Sequence, residues 1–267
     1  MDLKKLAGTA GQYLTRAVQY TEEKLGNAEK TEFDSHYETL VAQSDNAKLW
    51  TEKLVAGVQA VVIPNPGNRV EDMLFEKLEK RRPNRLSNLE HLGLDMVQAG
   101  TEFGTGTAYG SALLKVGGAE QRLGLAERDF VGCSISDFME PLQKFLDSDM
   151  KTIARERRIL DNRRLDLDAA KSRLRKARSL DAQQAAEAEL RRCQAEFDRQ
   201  TEITKLLLEG VRSTQASHLK HLQAYVAAQA AYHHTAHTIM ADLTRDLHSM
   251  AGEPPSPLPY SPTAPPH

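Results

Sequence analysis

The sequence predicts an all-α protein, a bundle of long helices, and three observations carry that prediction. Between Ser134 and Met250 the only glycine is Gly210 and the only proline is Pro141, so little there can interrupt a helix. Apolar residues recur at seven-residue intervals in three separate phases, the mark of helices with a sustained apolar seam. Seven of the 11 prolines crowd between Pro254 and Pro266, which leaves the chain before them free of breakers over most of its length.

The first element is the opening stretch, MDLKKLAGTAGQYLTRAVQY. Leu3, Leu6, Ala10, Leu14, Ala17 and Val18 fall at helical steps, while Lys4, Lys5, Gln12 and Arg16 lie elsewhere on the wheel. Gly8 and Gly11 weaken such a helix in water by about 1 kcal/mol each relative to alanine. A segment that folds only when its stripe is buried suits a water–lipid boundary. The same stripe would also serve an ordinary first helix packed on the bundle.

A first long helix follows, with Phe33, Leu40, Ala47, Leu54 and Val61 as its seam. Pro64-Asn65-Pro66-Gly67 breaks it. Arg69 to Arg82 then reads as a short amphipathic stretch, with Met73, Leu74 and Leu78 on one side and Phe75 nearby, ended by Pro83. From Pro64 to Gly132 the pattern is otherwise irregular. Gly93 to Gly132 holds nine glycines, and those of Gly104 to Gly110 read as permitting close helix approach.

The middle helix carries Met139, Leu146, Ile153, Leu160, Leu167 and Leu174. Its secondary positions (Leu142, Asp149, Glu156, Arg163, Ala170, Ala177) are partly charged, so a continuous two-stranded zipper is excluded. A multi-helix bundle completed by dimerisation fits better. A turn around Arg178 to Asp181 leads into a last helix seamed by Leu190, Phe197, Val211, Tyr225, Tyr232 and Ile239. A helix of about 60 residues would be ~90 Å long, and such helices bury their seams only against one another. The tail EPPSPLPYSPTAPPH favours an extended linker, and no Lys or Arg flanks its P-x-x-P spacings to orient an aromatic-lined groove.

Charge separates functions. The 267 residues carry 35 Lys+Arg and 37 Asp+Glu, a net of -2, which argues against a uniformly basic nucleic-acid binder. Yet Lys151 to Arg178 holds 11 bases against four acids, a local +7 that leaves -9 for the remainder. The run is densest at Lys171, Arg173, Arg175, Lys176 and Arg178. Like charges in neighbouring turns repel unless an anionic partner is present. Near an anionic leaflet each contributes ~1 kcal/mol. No groove-reading helix or interleaved aromatics accompany them, so nucleic acid is not expected as a partner.

Other chemistry finds little footing. Gly104 to Gly110 is not a phosphate loop, because no Lys-Ser/Thr follows Gly110 and the glycine spacing is wrong. His233 and His237 share a helix face, with His218 and His221 some turns away, but no acidic partner completes a metal site. Asp166 and Asp168 sit on opposite sides of a helix, which spoils paired-carboxylate chemistry. Neither an enzyme nor a cofactor is expected. Cys133 and Cys193 define no disulfide framework and read as thiols of a reducing compartment. The best apolar run, Leu54 to Ile63, is broken by Gly57 and Gln59, and the N-terminus lacks a signal-peptide plan. A cytoplasmic, soluble chain is the expectation.

Several runs resemble those of the endophilin family of N-BAR domains. Pro64-Asn65-Pro66-Gly67-Asn68-Arg69 resembles its P-N-P-x-x-R at the first-helix insert, and Pro141-Leu142-Gln143 its P-L-Q. Arg163-Arg164-Leu165-Asp166-Leu167-Asp168 resembles its R-R-L-D-F/L-D. The Thr101-Glu102-Phe103-Gly104 to Tyr109-Gly110 and Leu167-Asp168-Ala169-Ala170-Lys171 runs look most like the endophilin-B branch.

The resemblance implies a three-helix antiparallel coiled coil that pairs into a crescent-shaped six-helix homodimer, a heterodimer with a close relative being the other pairing it allows. It divides the chain into an N-terminal amphipathic helix (1–25), a BAR domain (26–250) with an insert around 64–92, and a Pro-rich linker (251–267). Leu3, Leu6, Ala10 and Leu14, with Met73, Leu74, Phe75 and Leu78 of the insert, would enter one leaflet. Lys171, Arg173, Arg175, Lys176 and Arg178 would contact anionic lipid. The implied function is peripheral association with membranes and sensing or generation of curvature, as in membrane trafficking. The family's Src-homology-3 domain is not in this sequence, so partners recruited through it are not expected. A coiled-coil scaffold binding acidic protein or cytoskeletal surfaces is the competing reading.

Overall fold

The computed structural model describes residues 3–25, 30–78 and 85–251, and for residues 3–10, 12, 22, 73, 76, 77 and 251 only their place in a helix. The Pro-rich tail lies outside the described residues. The described chain runs through helices α1 (Leu3–Lys24), α2 (Ser35–Val62), α3 (Pro66–Lys77), α4 (Asn88–Glu102) and α5 (Ala108–Cys133). A π-helical turn (Ser134–Met139), α6 (Glu140–Phe145) and a second π turn (Leu146–Met150) lead into α7 (Lys151–Lys176) and α8 (Leu180–Ala251). Packing divides the chain into two compact units, Met1–Lys53 with Leu142–Ser217 and Leu54–Pro141 with His218–His267.

In the first unit the seams meet as their spacing predicts. Leu40, Ile153, Leu160, Leu167, Phe197 and Val211 form one buried cluster with Tyr37, Phe145, Met150, Cys193 and Leu208. Full burial of a leucine such as Leu160 or Leu167 stabilises by about 1.5–3 kcal/mol. The last helix's seven-residue phase does not lapse where apolar residues fail. Thr204 occupies one of its two missing positions fully buried, its hydroxyl donating to the Gln200 carbonyl at 2.8 Å within the helix.

Boundaries follow local chemistry. Asp34 Oδ1 accepts from the Tyr37 N–H (2.7 Å) at the start of α2. A hydrogen bond from Lys205, then that N–H, holds the Asp34 carboxyl below its usual range. α7 ends where Ala177 turns extended (ψ 124°), and Ser179 Oγ accepts from the Ala182 N–H (3.3 Å) as α8 begins. The break between the second and third long helices is thus confined to residues 177–179.

The second unit corrects one expectation. The stretch 88–133, read from its sequence as irregular, is a helical hairpin, and the long middle segment starts at Ala108 rather than near Ser134. Its seam is made of glycine instead of leucine. A Cβ on Gly93 would lie 2.7 Å from the Gly117 carbonyl oxygen, and one on Gly117 would lie 2.7 Å from that of Gly93. Gly100 and Gly110 face each other in the same way one heptad along. Side chains absent from the seam let the two backbones touch. At φ +90°, Gly104 adopts the left-handed conformation that turns the chain between α4 and α5.

The hairpin's open end is fixed by a capping box. Ser87 Oγ accepts from the Glu90 N–H while Glu90 Oε2 accepts from the Ser87 N–H (2.8 Å). Glu90 also reaches Arg128 on α5 (2.8 Å). Beyond it, Phe130 stacks on Tyr232 with ring centroids 5.5 Å apart, and Ala119, Leu123, Ile239 and Leu243 form the unit's own core.

Candidate functional site

Three groups of residues singled out in the sequence take shape in the structure. Leu3, Leu6, Ala10 and Leu14 all fall on α1, and Leu14 is 69 % exposed. Side chains of the first three lie outside the described residues. Beyond Leu14 the apolar edge continues through Val18 (57 % exposed) and Leu25, flanked by Tyr13 and Tyr20. None of these turns inward.

The edge of α1 that faces the protein is polar instead. Arg16 makes a two-pronged ion pair with Asp166 of α7, Nε to Oδ1 and Nη2 to Oδ2, both 2.7 Å. That hydrogen bonding raises the guanidinium's pKa above its ordinary value. Two turns further, Arg164 Nη1 bridges Glu23 (2.9 Å) and Asp168 (3.1 Å), with Gln19, almost fully buried, donating to Glu23 (3.1 Å). Asp168 accepts in addition from the Thr31 N–H (3.1 Å) and the Thr31 hydroxyl. Lys171 donates to that hydroxyl at 2.7 Å. Arg163-Arg164-Leu165-Asp166-Leu167-Asp168 is therefore a seat: Leu167 enters the core while Asp166, Arg164 and Asp168 hold Arg16, Glu23 and Thr31.

The basic run is less free than its sum of charges suggested. Arg157 pairs with Asp45 (2.6 Å), Arg163 with Glu196 (2.6 Å) and Arg173 with Glu189 on α8. Lys171 is half-buried in the seat. Arg175, Lys176 and Arg178 are exposed at and just beyond the C-terminal turn of α7, where the helix dipole also favours cations.

The Pro64–Arg69 motif builds the third group. Asn65 Oδ1 accepts from the Gly67 N–H (2.9 Å), opening α3. Arg69 Nη1 donates to the carbonyls of Ile63 (2.7 Å) and Pro64 (3.1 Å), just past the end of α2. Arg85, past the end of α3, reaches back to Asp72 (2.8 Å) and Glu71 (2.6 Å). Between these clamps Val70, Leu74 and Leu78 form one exposed stripe at four-residue steps. Phe75 is half-buried, and the side chain of Met73 lies outside the described residues. Val70 and the seat's Arg16, Glu23 and Arg164 add to the site residues expected from the sequence. Val70 had a signal, lying one turn before Leu74.

His233 and His237 are exposed on α8, and among the described residues no group of three His, Cys, Asp or Glu is arranged to hold a metal ion. Among the described residues no helix is long and apolar enough to cross a membrane.

Comparison with known proteins bears on the whole of this arrangement. The family model for the BAR domain matches residues 7–249. Endophilin-B1 of Homo sapiens is 50% identical over 248 residues, which cover 93% of this chain and 68% of the relative. Endophilin-B2 of Gallus gallus is 45% identical over 280 residues, covering 94% of this chain and 70% of the relative. A solved I-BAR domain, D. discoideum IBARa (residues 1–259), aligns with a TM-score of 0.43 and 17% identity over 84% of this chain and 94% of that chain, too loosely to add to the assignment. With a family match along nearly its full length and half its residues shared with such relatives, this all-α chain belongs to the BAR-domain family, in its endophilin-B branch.

Proposed function

We propose that the protein binds anionic membrane surfaces as a homodimer and senses or generates curvature there, with no catalytic step. The observation that carries this reading is the attitude of α1, held to the protein by Arg16 and Glu23 with Gln19 buried and Leu14 and Val18 exposed. A helix that merely completed a bundle would bury its apolar edge. This one leaves that edge available to a second apolar phase, and the exposed Val70 and Leu74 of α3, with Leu78 just past its end, offer another of the same kind. Shallow wedges of this sort expand one leaflet. Arg175, Lys176 and Arg178 supply the attraction to lipid phosphate, with Arg173 joining when Glu189 releases it. Lys171 acts chiefly through the seat. The protein is thereby a peripheral membrane protein, drawn from solution by charge and insertion together.

Dimerisation is supported by apolar surface that the single chain leaves open. Leu54 and Val61 of the first seam are exposed, as are Leu219, Leu222 and Val226 along α8. In a BAR-domain protein the partner for such faces is a second copy.

Co-sedimentation with vesicles tests the membrane reading. Binding to phosphatidylserine vesicles should exceed binding to neutral ones and weaken with salt. Equal binding to both, or binding that persists after Arg175→Glu with Lys176→Glu and Arg178→Glu, would sink the cationic assignment. Light scattering that gives the mass of one chain at micromolar concentration would remove the dimer.

A further inference from the structure

Two exposed features outside the membrane-facing groups are complementary to one another. The turn between α4 and α5 presents Phe103 and Tyr109, 60% and 63% exposed, as an edge-to-face pair with ring centroids 5.4 Å apart. The turn beneath them is held by its own hydrogen bonds. The Gly104 N–H donates to the Thr101 carbonyl (3.1 Å), and the Thr107 N–H and hydroxyl donate to the Gly104 carbonyl (3.0 and 2.9 Å). The Gly110 N–H donates in turn to the Thr107 hydroxyl (3.0 Å). Two rings on so fixed a base make a preformed knob that loses little freedom when it is buried.

The matching feature belongs to the first unit, where α2 and α8 leave a groove of about 460 Å³ walled by Ala47, Trp50, Leu208 and Val211. Within it Arg212 of α8 donates to Gln43 of α2 (3.1 Å). Trp50, the chain's one tryptophan, is 58% exposed. We infer that this groove receives the Phe103–Tyr109 knob of a second copy, so that each protomer gives one tip and accepts one. The inference rests on the homodimer proposed above and deepens it. Three observations single out that occupant. The edges of the groove run on through Leu54 and Val61 of α2 and Leu219, Leu222 and Val226 of α8, the exposed faces that a second copy covers. The groove is cationic at Arg212, with Lys53 over the Trp50 ring (4.5 Å), while the tip from Thr101 to Gly110 carries a single charge, Glu102. Lengths match as well: Trp50 to Pro64 and Asn88 to Glu102 are each 15 residues, about 22 Å at helical rise. A twofold axis beside the break between them therefore sets each tip against the other copy's groove, and both contacts form at once.

Trp50 is itself the reporter. The unmodified full chain is diluted from micromolar to nanomolar while light scattering follows its mass, and its tryptophan emission should move to longer wavelength as the dimer parts. Phe103→Ser with Tyr109→Ser should raise the dissociation constant by about a hundredfold, because twofold symmetry removes two aromatic contacts together. Its Trp50 should emit at the longer wavelength even where unmodified protein is dimeric. Trp50→Phe protein is silent in this assay yet keeps its tip. Added in excess to the tip variant, it should return the emission to shorter wavelength, which a defect confined to one chain would not allow. A tip variant that dimerises as tightly as unmodified protein, emission that ignores dissociation, or no recovery on mixing would overturn the contact and leave the dimer standing. The mass of one chain at every concentration would remove the dimer and the contact with it.

Discussion

The α4–α5 hairpin and the α1–α7 contact join helices by opposite means. In the hairpin, Gly93 meets Gly117 and Gly100 meets Gly110 so closely that backbone lies on backbone. At α7 the joint to α1 is made by long charged side chains, Arg16 on Asp166 and Arg164 on Glu23. The first joint has one workable geometry and hides nothing that could be used elsewhere. The second holds a helix while leaving its apolar edge unspent. A joint built for permanence removes side chains, whereas a joint built for presentation lengthens and charges them.

Substitutions can break that contrast. The largest expected effect is at the seat: Arg164→Ala leaves two buried carboxylates, Glu23 and Asp168, without their shared cation. Urea unfolding should show a loss of about 3 kcal/mol. Next comes Gly117→Ala, whose new methyl would collide with the Gly93 carbonyl and the Val97 N–H. The hairpin cannot shift without moving a whole helix, so a loss of about 2 kcal/mol is expected in the same assay. By contrast, Gly118→Ala, one residue along, meets nothing within 4 Å and should be neutral or slightly stabilising.

A third effect separates the first unit's core from both joints. Burial pushes the Tyr37 hydroxyl up to about 12 from its ordinary 10. Because the folded value is the higher one, the stability this neutral hydroxyl confers is full below pH 10 and fades as pH rises towards 12. Thermal melts should fall over that window, and Tyr37→Phe should fall less. The smallest effect on stability belongs to the presented edge. Leu14→Gln with Val18→Gln should change unfolding by no more than about 0.5 kcal/mol, since neither side chain is buried. The same pair should nonetheless reduce tubulation of anionic vesicles, and unchanged tubules would show that the edge is not used.

The two joints are unequally legible in the sequence. Ile153, Leu160 and Leu167 announce their helix because apolar periodicity is the signal being read. The hairpin gives no such signal. Gly93, Gly100, Gly110, Gly117 and Gly124 keep seven-residue spacing within each helix, but a seam of glycine has no hydrophobicity to register. A stretch that reads as irregular is therefore as periodic as the rest. The seat is legible only as a motif that resembles a family's, because its partners lie 137 to 150 residues away along the chain. Charged pairs at that separation leave no pattern in either segment alone. The amphipathic edge of α1 can be drawn on a wheel, yet which edge docks depends on Asp166 and Arg164, far downstream.

The clamp at Arg69 has a consequence of a different kind. By capping the carbonyls of Ile63 and Pro64, it finishes α2 without help from anything beyond residue 69. Arg85 closes the far side on Glu71 and Asp72, just ahead of the capping box that starts α4. Val70, Leu74 and Leu78 lie between these clamps without taking part in either, so replacing those three side chains should leave the helices on either side in register.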